Sequence, residues 1–293
     1  MLTLLSLLLL PPAPSGDLQA RVRAIVARSG AEVAVAMRTI DGRAELLLDV
    51  DKSFHAASTM KVPVMIELFR QAEAATLSLD DPLPIRNEFH SIVDGSEYQL
   101  DVSDDSDAEV YKAIGRTLSL RQLCEAMITV SSNFAANLLI EKLGVENIRR
   151  TVTRLGADGM QVLRGVEDQK AFDKGMNNTT TARGFLVLLE KIARGQAVSA
   201  KADAEMAAIL KRQRFNDAIP GGVPAGVAVA HKTGSITKIH HDGGIVYGPR
   251  PYVLVVLVRG IQDEKASGAI IADISRAVWQ ALTPSPSARR LHL

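Results

Sequence analysis

The chain has 293 residues, 47% of them hydrophobic, with 34 Lys and Arg against 33 Asp and Glu, 4% aromatics and one cysteine. That length and apolar content can bury the core of one large domain or two interleaved subdomains, and they argue against disorder. The balanced, scattered charge argues against nucleic acid or an anionic membrane surface as a partner, and a lone Cys124 excludes an internal disulfide and a cysteine-rich metal site.

In chain order, the opening stretch "MLTLLSLLLLPPAPSG" is a short apolar run followed by proline and small residues. It resembles a secretory leader, although no Lys or Arg precedes the apolar run, and it is too short to span a bilayer, which takes about 20 apolar residues. A signal peptide over residues 1–16 is expected, with a mature protein in the periplasm or outside the cell and no stable membrane insertion. Residues 17–29 read as a helix with Leu18, Val22, Ile25 and Val26 on one face. The run "AEVAVAMRTIDGRAELLLDVD" gives two strands joined by Asp41-Gly42, a hairpin signal. An apolar helix covers 57–75. From 76 to 119 the pattern loosens into loops and short elements, including "DVSDDSDAEVY", which lacks the Gly and terminal Glu of a calcium loop and reads as a solvated surface.

Helical periodicity then dominates over 120–129, 133–143, 145–155, 180–194 and 200–212, interrupted by a long irregular stretch at 156–179. A Gly- and Pro-rich segment at 214–226 leads back to strand-like runs at 227–233, 243–248 and 252–259, a last helix over 264–282 and a frayed tail over 283–293. Strands at both ends with helices between them predict an α+β fold: a five-stranded antiparallel sheet flanked by terminal helices and carrying an inserted all-helical subdomain. A single domain over 17–282 follows, with its α/β part at about 17–56 and 214–282 and its helical part at about 57–213.

Within "HAASTMKVPVMIEL", Ser58 and Lys61 form an S-x-x-K whose members share a face of a helix. A serine hydroxyl needs a base within reach, and a lysine serves only when a dry setting lowers its pKa. Val62, Val64, Met65, Ile66 and Leu68 promise that setting. About one S-x-x-K is expected by chance in a chain of this size, and Ser235-Ile236-Thr237-Lys238 is a second, in strand-like surroundings where residues three apart face opposite ways. Ser131-Ser132-Asn133, the only S-x-N, lies between two helices, where its bland reading is a helix cap. Lys232-Thr233-Gly234 closes a strand, where its bland reading is a turn glycine. His231, His240, His241 and Asp242 lack zinc-type spacing, and strand neighbours face opposite ways, so no metal is expected.

S-x-x-K, S-x-N and K-T-G in this order resemble class A β-lactamases and penicillin-binding proteins, and the resemblance runs from about residue 17 to 282. It implies that Ser58 attacks a β-lactam carbonyl to form an acyl-enzyme, with Lys61 as base or proton relay. Ser131 would pass a proton to the leaving nitrogen, and Asn133 would position Lys61 and the substrate. Lys232, Thr233, Gly234 and Ser235 would form the substrate-binding strand, with the backbone N–H groups of Ser58 and Ser235 as oxyanion hole. No cofactor is implied. A monomer is expected, acting on a small β-lactam or a D-Ala-D-Ala-like peptide.

Departures from the pattern accompany the matches. Ser132 stands where the usual motif has aspartate, so the contribution of that carboxylate must come from elsewhere. The water-activating glutamate falls in "LRGVEDQKAFDKGMNN", where Glu167 follows Arg164 closely but sits a residue or two nearer Asn178 than is common, and Asp168 competes. Arg164 is expected to tie the loop ends together. His240 or Lys238 could replace an arginine that relatives use for a substrate carboxylate. Cys124 occupies the place of one half of a family disulfide, with Met65 at the other, and reads as a buried small hydrophobe. With Glu167 poised, the chain is a serine β-lactamase; otherwise it is a slowly deacylating penicillin-binding D-peptidase or esterase-like hydrolase, or a non-enzymatic periplasmic β-lactam-binding or sensing module.

Overall fold

Two apolar runs far apart in sequence become neighbours at the centre of one sheet. In the computed structural model, which describes residues 15–283, strands β1 (Glu32–Thr39) and β2 (Glu45–Leu48) form the N-terminal hairpin. Strands β3 (Val229–Ile236), β4 (Ile239–Val246) and β5 (Tyr252–Arg259) complete an antiparallel sheet of order β2-β1-β5-β4-β3. Val35 pairs with Val256 at its middle. The expected leader and tail lie, apart from residues 15, 16 and 283, outside the described residues.

Both faces of the sheet are covered, which is why β5 reads "YVLVVLVR", an apolar run with no polar alternation. Tyr252, Leu254, Val256 and Val258 meet helices α1 (Ser15–Ser29) and α9 (Glu264–Leu282), through Leu18, Val22, Ile271 and Val278. Val253, Val255 and Leu257 turn the other way, into the larger core of the helical part. There α7 (Ala182–Ala193) lies directly on the sheet: a Cβ on Gly243 would come within 2.3 Å of Phe185 Cε1, so this register admits only glycine.

The remaining helices are α2 (Lys61–Glu73), α3 (Leu120–Thr129), α4 (Asn133–Leu143), α5 (Val145–Arg154), the short α6 (Gln169–Asp173) and α8 (Ala200–Leu210). A reciprocal capping box between Ser119 and Gln122 starts α3, and Ser132 Oγ caps α4 through Ala135 N–H. No helix among the described residues is long and apolar enough to cross a membrane.

Two expectations change in detail. The helix expected from residue 57 begins as a 3-10 turn over Ala57–Met60 and becomes α-helical only at Lys61, with Pro63 accommodated in the first turn, where a missing N–H leaves no bond unmade. The strand expected at 243–248 runs over Ile239–Val246 instead. Its polar start, His240-His241-Asp242, conceals the strand because these side chains are buried by specific polar partners and not by apolar contact.

Candidate active site

Ser58 sits in the 3-10 turn that leads into α2, partly open to solvent, and Lys61 is the first α-helical residue, with no exposed surface. A 3-10 turn has three residues per turn, so residues three apart eclipse, and the serine and lysine stack more directly than an α-helix would allow. The approach to the turn is strained: Ala57 has φ +46°, in the left-handed region that non-glycine residues avoid. Its N–H donates to His55 Nδ1 (3.0 Å), Ala56 N–H donates to Asn178 O (2.8 Å), and His241 Nε2–H donates to His55 O (3.0 Å). The K-T-G glycine is explained here as well: a Cβ on Gly234 would stand 3.0 Å from Ser58 N and 3.1 Å from Thr59 N, so β3 approaches the turn as closely as backbone can.

Ser131 has φ +61°, turning the chain between α3 and α4 so that its hydroxyl faces two buried amines. Lys61 Nζ donates to Ser131 O (2.6 Å), Asn133 Oδ1 (2.7 Å) and, more weakly, Ser131 Oγ (3.3 Å). Lys232 Nζ, likewise without exposed surface, donates to the same Ser131 Oγ (2.9 Å) and to Thr233 O (2.8 Å). Burial pushes Lys61 down from 10.5 to about 7, against the opposing pull of the Asp105 and Glu167 charges. Burial, reinforced by the Lys61 charge, also holds Lys232 well below its ordinary value. None of the Lys61 bonds goes to Ser58 Oγ, contrary to the simplest expectation. A charged amine has three N–H donors, and a carbonyl, an amide oxygen and Ser131 Oγ engage all of them; only the neutral amine has a lone pair to turn toward Ser58.

Glu167 also adopts φ +61° and accepts from Asn133 Nδ2 (2.9 Å), so Asn133 bridges Lys61 and Glu167 through its two amide atoms. The carboxyl remains open to solvent, yet desolvation raises its pKa, opposed by the Asn133 bond and aided by the Asp105 and Asp104 charges. Asp168 is held elsewhere: it accepts from Ser91 Oγ (2.8 Å), Ile92 N–H (2.9 Å) and, as the cap of α6, Ala171 N–H (3.1 Å). Its oxygens are engaged in bracing the loop. Arg164 joins the loop ends through Met176 O (2.9 Å) and Asn177 Oδ1 (3.2 Å), while Asn178 bonds both Arg164 N–H and Arg164 O. The Asn178 amide thus supplies both an acceptor and a donor to the Arg164 backbone.

Ser58, Ser131, Asn133, Thr233, Ser235 and His240 line a cleft of about 640 Å³, whereas Lys61, Glu167 and Lys232 are not among its lining residues. His240 lies across from Ser235 in the β3–β4 register and donates from Nδ1 to Glu264 O (3.2 Å). His231 bonds Asp242 (3.0 Å) and Asn216 Oδ1 (3.2 Å), so His231, His240 and His241 share no partner. Lys238, at φ +60° in the β3–β4 turn, is not among the residues lining this cleft. Cys124 is a buried residue of α3 and its thiol is pushed up to about 12 by desolvation.

One residue of the site carries no signal in the sequence. Asp105, within the acidic run read as solvated surface, accepts from Asn133 N–H (2.9 Å), Phe134 N–H (2.8 Å) and Ser132 Oγ (3.3 Å). A carboxylate thus reaches the S-x-N turn from a different loop.

The fold matches the crystal structure of a beta-lactamase from Sphaerobacter thermophilus with a TM-score of 0.79 at 27% identity, over 91% of this chain and 99% of that one. It matches the structure of PBP-A with a TM-score of 0.80 at 26% identity, over 94% and 99%. A beta-lactamase of Bacillus licheniformis is 28% identical over 178 residues, which span 58% of this chain and 58% of that enzyme, less than two thirds of its length. The sequence profile of the beta-lactamase enzyme family matches residues 17–282, and the chain belongs to that family.

Proposed function

We propose that this chain is a serine β-lactamase that works through an acyl-enzyme on Ser58. Neutral Lys61 takes the proton of Ser58 as Oγ attacks the lactam carbonyl, and the oxyanion is received by the backbone N–H groups of Ser58 and Ser235. As the C–N bond breaks, Ser131 Oγ–H protonates the departing nitrogen and is replenished by the newly charged Lys61. Water then attacks the ester while Glu167 takes its proton, and Ser58 leaves as the alcohol. Thr233, Ser235 and Lys232 bind the substrate carboxylate, whose arrival favours the protonated form of the Lys232 amine.

The observation that carries this reading is the Lys61 amine, fully buried, held between Ser131 and Asn133, with Asn133 handing its other amide atom to Glu167. Three non-glycine residues in left-handed conformation, Ala57, Ser131 and Glu167, belong to this constellation. Such strain costs about 1–3 kcal/mol per residue and persists where a site requires it.

A second reading, a penicillin-binding D-peptidase with slow deacylation, is favoured by one detail: the Glu167 carboxylate accepts from Asn133 Nδ2 and the residue stays exposed to solvent. A form of the similar PBP-A has been solved as an acyl-enzyme with penicillin G. Mixing the protein with a chromogenic cephalosporin while following turnover and intact mass separates the readings. Sustained turnover lost in Ser58→Ala supports the lactamase. A single burst with a lasting adduct supports slow deacylation, and no adduct with any β-lactam removes both. Export by the N-terminal leader and a monomeric state belong to the same proposal.

A further inference from the structure

The loop over 101–107 grips the Ser131 turn from both sides. Ser106 Oγ donates to Val130 O (2.6 Å), just before Ser131, and Asp105 accepts from Ser132, Asn133 and Phe134, just after it. The turn needs such support because Ser131 is held at φ +61°. Ser132 Oγ already caps α4 through Ala135 N–H (3.2 Å), so Asp105 takes the N–H groups of residues 133 and 134 that this cap leaves free. Asn133 is thereby fixed at its backbone by Asp105 and at its side chain by Lys61 and Glu167.

We propose that Asp105 is a positioning residue of the active site: its carboxylate locks the Ser131–Asn133 turn onto the buried amine of Lys61 and supplies a fixed negative charge beside that amine. The charged groups acting on Lys61 are Asp105 from this loop, Glu167 from the loop before α6, and Lys232 from β3. The two anions favour the ammonium and the second lysine opposes it, so the state of Lys61 is a balance in which Asp105 has a direct share. Helix capping alone would require the oxygens of Asp105 but not its charge.

Asp105→Asn keeps the shape, removes the charge and leaves one acceptor oxygen where Asp105 offers two; Asp105→Ala removes charge and acceptors together. In the double variant Asp105→Ala/Ser132→Asp, a carboxylate returns from inside the turn. It is positioned to do so because Ser132 Oγ lies 3.3 Å from an Asp105 oxygen, and aspartate is as good a helix cap as serine. The kinetic readout rests on the proposed acylation of Ser58. A second readout does not: the midpoint of the Lys61 Cε resonance and the exchange rates of the Asn133 and Phe134 amides need no turnover. In Asp105→Asn we expect the Lys61 midpoint to fall by about one pH unit, on the order of what removing one nearby opposite charge does. The acidic limb of the acylation profile should move down with it. In Asp105→Ala the acylation maximum should fall roughly 10- to 100-fold and the two amides should exchange faster, with about tenfold of the rate recovered in the double variant. An unchanged Lys61 midpoint in Asp105→Asn, or wild-type amide exchange in Asp105→Ala, overturns the inference. Failure of the wild-type protein to acylate with any β-lactam would instead remove the proposed function, and the resonance and exchange data would still decide the role of Asp105.

Discussion

If neutral Lys61 is the base, acylation must rise with pH through the pKa of a buried amine. Burial lowers that pKa from 10.5 to about 7, which makes about half of the amine neutral at pH 7, against roughly 0.03% for an ordinary lysine, a gain of about a thousandfold in competent base. The neutral fraction is roughly a tenth at pH 6 and nine-tenths at pH 8, so the acylation rate constant should climb about tenfold between them. Single-turnover acylation, followed by intact mass in buffers from pH 5.5 to 8.5, isolates this step from any later deacylation. Lys61→Arg, whose guanidinium stays charged, should lose about 10²- to 10⁴-fold in the same assay. The same displacement governs stability. An unfolded lysine keeps its proton to about pH 10.4, the folded one releases it near 7, and the unfolded state therefore binds more protons between these values. Stability due to Lys61 should rise with pH across that window, by an amount on the order of 5 kcal/mol in full. A flat acylation rate from pH 6 to 8, or an undiminished rate in Lys61→Arg, would refute the assignment of the base.

Three further expectations concern the groups around the amine. In Gly234→Ala the new Cβ meets Ser58 N at 3.0 Å, so β3 must shift by a few tenths of an ångström; stopped-flow acylation should slow by about tenfold with little change in melting temperature. Asp168→Ala removes acceptors from Ser91, Ile92 and Ala171, with an expected cost of about 1–3 kcal/mol in urea unfolding and a larger loss in deacylation than in acylation; an equal loss in both steps would show that the loop does not serve Glu167 alone. His241 is pushed by burial from 6.5 to about 4 and stays neutral to receive Val258 N–H at Nδ1 (3.1 Å). The unfolded chain binds its proton first, so stability falls on acidification from 6.5 to 4, by about 3 kcal/mol in all, and urea titrations of His241→Gln should show a shallower slope across that window.

The sheet and the helices were legible because burial on one or both faces leaves a periodic record. "YVLVVLVR" and "FAANLLIEKL" state their element types directly, and their observed bounds, Tyr252–Arg259 and Asn133–Leu143, follow. The three motifs were legible as an ordered set, since each alone is ordinary. What the sequence could not show is polar burial across long separations. Asp105 and Asn133 lie 28 residues apart, and nothing in "DVSDDSDAEVY" marks which aspartate turns inward. His241 and His55, which hold the strained approach to Ser58, lie 186 apart. Glu167 and Asp168 likewise find partners, Asn133 for one and Ser91 for the other, that no local pattern encodes.

The central claim is that Ser58 carries an acyl group that Glu167 helps water to remove. Its most direct test is Glu167→Gln mixed with a β-lactam under conditions in which the wild-type protein turns over, with the adduct located by peptide mass mapping. The account predicts near-normal acylation, a persistent adduct on the peptide that contains Ser58, and loss of steady-state turnover by about 10²- to 10⁴-fold. Unchanged turnover, or an adduct on any other residue, would contradict it.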